Sequence, residues 1–383
     1  MPELAVDKVL NKEQKSFTAA EQVRLIALYL PQYHPIPEND AWWGKGFTEW
    51  TNVSKAQPLF AGHDQPHLPT ELGYYDLRLP ETRAAQADLA KTHGIDGFCY
   101  YHYWFNGKRL LERPFNEVLS SGEPDFPFCL CWANETWSRR WLGEEKAILL
   151  QQTYSPEDDV RHMQSLLKAF ADPRYITIKG RPVFVIYRPA NLPEPQRTLN
   201  TFREVCQQEG LPNPYFIGCN AHKRNFDFRT WGFDGMMDFQ PQLGALPEAF
   251  DPDGSLKISR LMRNLKLGQA NPKLRLYDCE ASRKLMHPNL LKTNLPLYPS
   301  VFVSWDNTPR RGKNALVLMN STPEGFEQNL RETVQAVRQN QDLDDKIVFI
   351  NAWNEWAEGN HLEPDAKYGR AYLEAVKRVA QHV

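Results

Sequence analysis

Eight short apolar runs, each ending in polar or aromatic residues, constrain this chain more than any other feature. They span residues 24–30, 97–103, 128–132, 183–187, 215–219, 235–239, 301–305 and 347–352. A short apolar run bounded by polar residues is what a strand covered on both faces requires. Between most of the runs lies a segment of helical period. Residues 80–93 carry proline in the first turn and stop before Gly94, the expected start and stop of a helix. Ser155-Pro156-Glu157-Asp158 supplies an N-cap serine, a proline and an acidic first turn ahead of the stripe Val160, Met163, Leu166, Leu167 and Phe170. Thr322-Pro323-Glu324 opens a third helix with Phe326, Leu330, Val334 and Val337 on one face, and a final helix is expected over 369–382. Strands alternating with helices imply a parallel sheet, and eight such units predict a closed (β/α)8 TIM barrel over residues 21–383. No G-x-G-x-x-G or P-loop follows the first run, which argues against a doubly wound nucleotide-binding sheet. Two connections are long, 31–79 after strand 1 and 241–300 after strand 6, and the second contains an extra predicted strand at 274–277. Segments of that length carry structure or function of their own.

Composition narrows the partners. A formal net charge of −2 over 383 residues gives no electrostatic footprint for nucleic acid or an anionic membrane. An apolar share of 42% supports a substantial core. Residues 1–20 are polar, lack the apolar stretch of a signal peptide and read as a loose N-terminal tail. No run approaches the ~20 apolar residues of a membrane span. The six cysteines, Cys99, Cys129, Cys131, Cys206, Cys219 and Cys279, lie mostly in apolar segments without C-x-x-C spacing. They read as reduced, buried thiols of a cytoplasmic protein. Cys129 and Cys131 share a strand face, but no neighbouring His or Cys completes a zinc site, so no metal and no cofactor is expected.

In a barrel the reacting groups sit at the C-terminal rim, where strands meet the βα loops. The last run ends in Trp353-Asn354-Glu355-Trp356-Ala357-Glu358-Gly359. Two carboxylates three residues apart can divide acid and base roles. Asparagine bonds hydroxyls, and indole faces stack on sugar rings. This pattern predicts chemistry on a saccharide, against the plainer reading of a helix start with two solvated glutamates. Strand 1 contributes Tyr29 and His34, and its loop contributes Trp42, Trp43, Glu49 and Trp50, read as a sugar platform or as a loop folded on its own aromatic core. On strand 2, alternation puts Tyr101 and Tyr103 on one face, and His102 and Trp104 on the other. His102 reads equally as a core histidine and as a site residue. Strand 3 ends in Asn134-Glu135 with Trp137 following, a second Asn-Glu pair, read as hydroxyl-binding rather than as an arginine–glutamate network bracing the rim. Arg188 after strand 4, and Asn307 and Arg310 after strand 7, complete the candidate substrate-binding set. The ends of strands 5 and 6, Asn220 to His222 and Asp238 to Gln240, are polar as well.

Together, segments 24–34, 42–52, 98–112, 128–141 and 351–364 resemble the WbsX glycosyltransferase family, which is also described as a glycoside hydrolase family 99-like domain met in bacterial polysaccharide gene clusters. The resemblance covers roughly residues 23–380 and implies a (β/α)8 barrel. The family 99 hydrolases are endo-acting, configuration-retaining α-mannosidases whose catalytic pair lies in an Asn-Glu-Trp-x-Glu-Gly segment, matched here by Asn354 to Gly359. The resemblance implies that Glu355 is the base drawing a proton from the sugar 2-hydroxyl, and that Glu358 is the acid protonating the leaving oxygen. The intermediate is then an anhydro-sugar, unlike the usual retaining pair in which a carboxylate attacks carbon. Ala357 stands where the hydrolases carry His, so mannose itself is not implied. Three readings follow: an endo-acting retaining glycosidase or transglycosidase on a bacterial poly- or oligosaccharide, a WbsX-type glycosyltransferase in O-antigen or capsular polysaccharide synthesis, and a non-catalytic carbohydrate-binding protein. The D-x-D strings at 251–253 and 342–344 do not follow apolar strands, which weakens the case for a metal–nucleotide site.

Overall fold

The strand VRLIALY, Val23–Tyr29 (β1), has six of its seven side chains buried, as a strand enclosed on both faces should. It belongs to a ring in the computed structural model, which describes residues 22–139, 144–221, 227–249, 274–286, 293, 295–343 and 345–381. The other members are β2 (Gly97–Phe105), β3 (Phe128–Trp132), β4 (Arg181–Ile186), β5 (Tyr215–Asn220), β6 (Gly235–Asp238), β7 (Leu297–Phe302) and β8 (Lys346–Asn351). Each pairs in parallel with its sequence neighbour. β8 then pairs in parallel with β1, Ile26 opposite Phe349, so the ring closes as a (β/α)8 barrel.

Among the described residues the α-helices in chain order are α1 (Pro37–Trp43), α2 (Glu49–Lys55), α3 (Pro80–Thr92), α4 (Arg113–Ser121), α5 (Pro156–Phe170), α6 (Pro195–Gln208), α7 (Cys279–Leu285), α8 (Thr308–Arg311), α9 (Pro323–Gln339) and α10 (Ala371–Ala380). The expected caps are present: the Ser155 hydroxyl accepts from the Asp158 N–H, and the Thr322 hydroxyl from the Gly325 N–H. One continuous core joins the ring to α3, α5, α6, α9 and α10. All six cysteines are buried and free.

One expected strand is misplaced. The seventh begins at Leu297, ahead of the apolar run 301–305, and leaves the ring after Phe302. Pro299 makes its first half a poor strand by sequence, yet it sits in the ladder opposite Asp238. Trp305–Asp306 instead pairs antiparallel with Leu316–Met319, which pairs in parallel with Arg275–Asp278. This accessory sheet contains the extra strand expected at 274–277. The expected tail 1–20, His222, and the acidic strings at 251–253 and 342–344 lie wholly or partly outside the described residues. Among the described residues, no helix is long and apolar enough to cross a membrane.

The long loop after β1 returns over the mouth of the ring. It binds the loop after β8 through Thr70 N–H to Pro364 O (3.2 Å) and Ala366 N–H to Leu68 O (2.9 Å). At the opposite end, Gly94 follows α3 at φ +82°, and a Cβ there would lie 2.4 Å from Ala380 Cβ on α10. Gly94→Ala therefore combines left-handed backbone strain with overpacking. It should destabilise the protein by about 2–4 kcal/mol, read as a lowered urea midpoint, whereas Gly122→Ala, equally left-handed but with open space around it, should lose only the backbone part.

Candidate active site

Two asparagines build the rim in the same way. Asn354, just past β8, donates its amide to Leu30 O (3.0 Å) and accepts from Leu30 N–H (2.7 Å). Asn134, just past β3, donates to Arg188 O (2.9 Å) and accepts from Arg188 N–H (2.7 Å). Each side chain thus imitates a strand's peptide group and clasps the end of the next strand in the ring. Both are fully buried. In each case the following glutamate is left to face the cavity at the barrel mouth.

Glu355 caps and Glu358 ends a single 3-10 turn, Trp356–Glu358, which is followed by Gly359 with φ +57°. A Cβ at Gly359 would meet the Asp306 backbone at 3.2 Å, so only glycine fits there without displacement. Behind the turn, the Tyr33 hydroxyl donates to Asn354 O. The buried Glu363 carboxylate accepts from Trp356 Nε1 (2.6 Å), Gln86 Nε2 (2.6 Å) and the Tyr75 hydroxyl (2.8 Å). Burial pushes Glu363 up to about 7 despite those donors.

Arg310, from α8 after β7, stands at the centre. Its Nε and Nη2 reach the two oxygens of Glu49, each at 3.0 Å. Nη2 also reaches Glu355 at 2.8 Å, and Nη1 reaches Glu358 at 2.7 Å. Side-chain exposure is 0% for Glu49, 7% for Glu355 and 21% for Glu358, so Glu358 is the member most open to solvent. Burial opposes the guanidinium charge, but the three carboxylates outweigh it and hold Arg310 well above its ordinary pKa. Burial likewise pushes Glu355 up to about 8, with Glu358 and Glu49 adding to the rise and Arg310 opposing it. Glu358 is also raised by burial, with Arg310 and Arg311 pulling against the rise. The guanidinium charge therefore does not offset the desolvation of the pair, and the pair keeps a proton near neutral pH.

The cavity above this cluster measures about 370 Å³. Of the residues expected from sequence, Trp43, Tyr101, Glu135, Trp137, Arg188, Asn307, Arg310, Glu355 and Glu358 line it. Arg188 bonds Glu135 (2.9 Å) and lies 4.5 Å over the Tyr187 ring.

The remaining expected residues do not reach the cavity. Tyr29 points outward and donates to Gln86 on α3 (2.7 Å). His34 is buried beneath the first loop, and that burial lowers it to about 4. Trp42 packs edge-on against Trp137 at 5.8 Å, supporting the wall from behind. Trp50 donates to Tyr75 O and packs on Trp356, so it belongs to the core of its own loop. Glu49 holds Arg310 rather than lining the wall. His102 and Trp104 lie on the outer face of β2, where His102 meets His162 at 2.8 Å and Trp104 donates to Asp158 at 2.9 Å. Trp353 packs on Phe98, which shares the outer face of β2 with His102 and Trp104. Asn134 and Asn354 are strand clasps, their amides committed to backbone.

Tyr103, Tyr187, Phe239, Trp305 and Arg311 also line the cavity, beyond the candidate set expected from sequence. Alternation already put Tyr103 on the face of Tyr101. Trp305 gave no such signal, because its position depends on the accessory sheet.

The sequence model of Glycosyltransferase WbsX matches residues 25–376. A protein called WxcX from Xanthomonas campestris pv. campestris strain B100 is 41% identical over 354 residues, 92% of this chain and 49% of its own length. Its counterpart from strain ATCC 33913 is 41% identical over 360 residues. The chain thus spans about half the length of the curated relatives it matches. Among solved structures, a glycoside hydrolase-like protein superposes with a TM-score of 0.56 at 14% identity, covering 97% of each chain. The GH99 endo-alpha-mannosidase from Bacteroides thetaiotaomicron superposes with a TM-score of 0.56 at 14% identity, covering 94% of this chain and 96% of that one. These two likenesses show a shared fold.

Two outcomes follow from the cluster. Arg310→Met leaves buried carboxylates without their shared cation and should cost about 3–5 kcal/mol in a urea titration at pH 7. Because the folded pKa of Glu355 lies above its unfolded value, its favourable contribution is complete below about pH 4.5 and is lost as pH rises through about 8. Native protein should therefore lose on the order of 1–4 kcal/mol relative to Glu355→Gln between those pH values; parallel stability curves for the two proteins would contradict this.

Proposed function

The chain belongs to the glycosyltransferase WbsX family, and from that premise we propose that it is a carbohydrate-active enzyme, an endo-acting retaining glycosidase or transglycosidase on a bacterial poly- or oligosaccharide. The observation that carries this reading is Arg310 bonding both Glu355 and Glu358 at the base of a cavity walled by Trp43, Trp137 and Trp305. Indole walls suit sugar faces, and the Arg188–Glu135 pair at the rim offers charged hydrogen-bonding groups to hydroxyls.

In this reading the proton of the pair changes owner when substrate binds. In the empty site burial favours protonated Glu355, the less exposed carboxyl. A sugar 2-hydroxyl donating to Glu355 favours its ionised form, and a glycosidic oxygen accepting from Glu358 favours the protonated form there. Glu355 then takes the 2-hydroxyl proton, the 2-oxygen closes on the anomeric carbon, and the leaving oxygen departs with the proton of Glu358. In the second half, ionised Glu358 takes a proton from water or from an acceptor hydroxyl as it attacks the anomeric carbon. The 2-oxygen recovers its proton from Glu355. Two inversions give overall retention.

A second reading, transfer from an activated donor, is favoured by the family's own name. The same cavity would then take an acceptor hydroxyl in place of water, and titration with nucleotide sugars should give a saturable heat. A non-catalytic carbohydrate-binding role would leave glycan affinity intact when both glutamates are replaced and release no product from the native chain.

With a glycan that the native protein cleaves, Glu355→Gln and Glu358→Gln should each lower turnover by about 10²–10⁴-fold, with circular dichroism unchanged. Reducing-end release is the readout, and undiminished release in both variants removes the proposal.

A further inference from the structure

A second cavity, of about 380 Å³, lies beside the first on the other side of Trp305. Three side chains converge in its wall from two loops: His67 from the loop after β1, and His361 and Asp365 from the loop after β8. Their nearest ligand atoms all lie within 4.8 Å of one another. His361 Nδ1 faces the Glu363 carbonyl at 2.9 Å. Donation there leaves the Nε2 lone pair of His361 pointing into the cluster. His67 Nδ1 meets that Nε2 at 2.9 Å. Asp365 Oδ1 accepts from the Lys367 and Tyr368 N–H groups (2.9 and 2.7 Å), which turns Oδ2 toward the same Nε2 at 3.8 Å. At 2.9 Å the two ring nitrogens either share the one Nδ1–H of His67 or together face a cation, and the Asp365 carboxylate beside them favours a cation.

We propose that His67, His361 and Asp365 bind one divalent transition-metal ion that ties the loop after β1 to the loop after β8. The donor set, two imidazoles and one carboxylate, suits first-row metals such as Zn²⁺, Co²⁺ or Mn²⁺. Two nitrogens at about 2.1 Å from a metal lie ~3.0 Å apart at right angles and ~3.4 Å apart at the tetrahedral angle, so the 2.9 Å between the rings matches six-coordinate spacing and opens by about half an ångström for tetrahedral Zn²⁺. The Glu363 carbonyl behind His361 is the outer partner that ligating histidines ordinarily have. Asp64 Oδ2 lies 4.0 Å from His67 Nε2 and is itself paired with Lys367 at 3.1 Å. Adjacent cavity volume leaves room for water ligands.

The consequence reaches the first cavity. His361 is the residue opposite Asn354 in a two-residue antiparallel pairing, with Asn360 opposite Glu355. Its ring also stacks on Trp356, with centroids 3.7 Å apart. An ion on His361 thus holds the return strand of the segment that bears Glu355 and Glu358.

The test uses the full untagged chain, freed of metal with a chelator and titrated calorimetrically with Zn²⁺ and, by visible absorption, with Co²⁺. One ion per chain is expected, with a melting temperature raised by about 4 °C at saturation. His67→Gln and Asp365→Asn should each weaken binding at least about 10-fold while circular dichroism stays native. Asp365→Asn keeps the oxygen that receives the two backbone donors, and His67→Gln keeps a hydrogen-bond partner for His361, so the two variants guard against a folding artefact. Glu355→Gln should bind the ion as the native chain does, which separates this site from the first cavity. Failure of the native chain to take up one ion, or equal binding by both ligand variants, overturns the proposal.

Discussion

A single guanidinium bearing three carboxylates is the constraint on which the barrel mouth depends. Arg310 joins Glu49 from the first loop to Glu355 and Glu358 from the last, and itself comes from the loop after β7. Three segments distant in sequence are thereby fixed around one atom group. Burying charges is costly even when they are paired, and the surplus of acid over base makes the cluster expensive as structure alone. A cluster built in this way places two acids of raised pKa side by side at a cavity wall, which is what division of acid and base roles requires.

Around that cluster the fold uses polar side chains as backbone. Asn134 and Asn354 close strand ends that have no further ladder partner, in line with the rule that buried peptide groups must be satisfied. The glutamate after each then emerges at a fixed angle and finds an arginine, Arg188 for Glu135 and Arg310 for Glu355. Glu363, with its three donors, serves the turn from below. Each acid that faces the cavity therefore stands on a layer of committed hydrogen bonds that restricts how far it can move.

Much of this could be read from the chain. All eight ring strands fall on or beside the apolar runs, because buried parallel strands are uniformly apolar and leave an unmistakable pattern. The two catalytic candidates were visible as carboxylates at the end of the last run. What sequence could not give was the direction of individual side chains near strand ends. His102 and Trp104 differ from Tyr101 and Tyr103 only by the parity of β2, and the pattern does not state which face looks inward. Asn134 and Asn354 carry the right chemistry for a hydroxyl, yet a neighbouring strand end claims it first. Trp305 is placed by its pairing with Leu318 in the accessory sheet, and Glu49 pairs with Arg310 261 residues away; local pattern holds no signal for either contact. The shift of β7 has a local cause, since Pro299 hides the true start of that strand.

The most direct measurement on the central cluster is infrared spectroscopy of protein labelled with ¹³C at its glutamate carboxyls, recorded across pH. The Arg310 arrangement predicts that at pH 7 native protein holds one more protonated glutamate than Glu355→Gln, over a background from Glu363 common to both. Equal numbers of protonated carboxyls in the two proteins, with the pair fully ionised at pH 7, would contradict it.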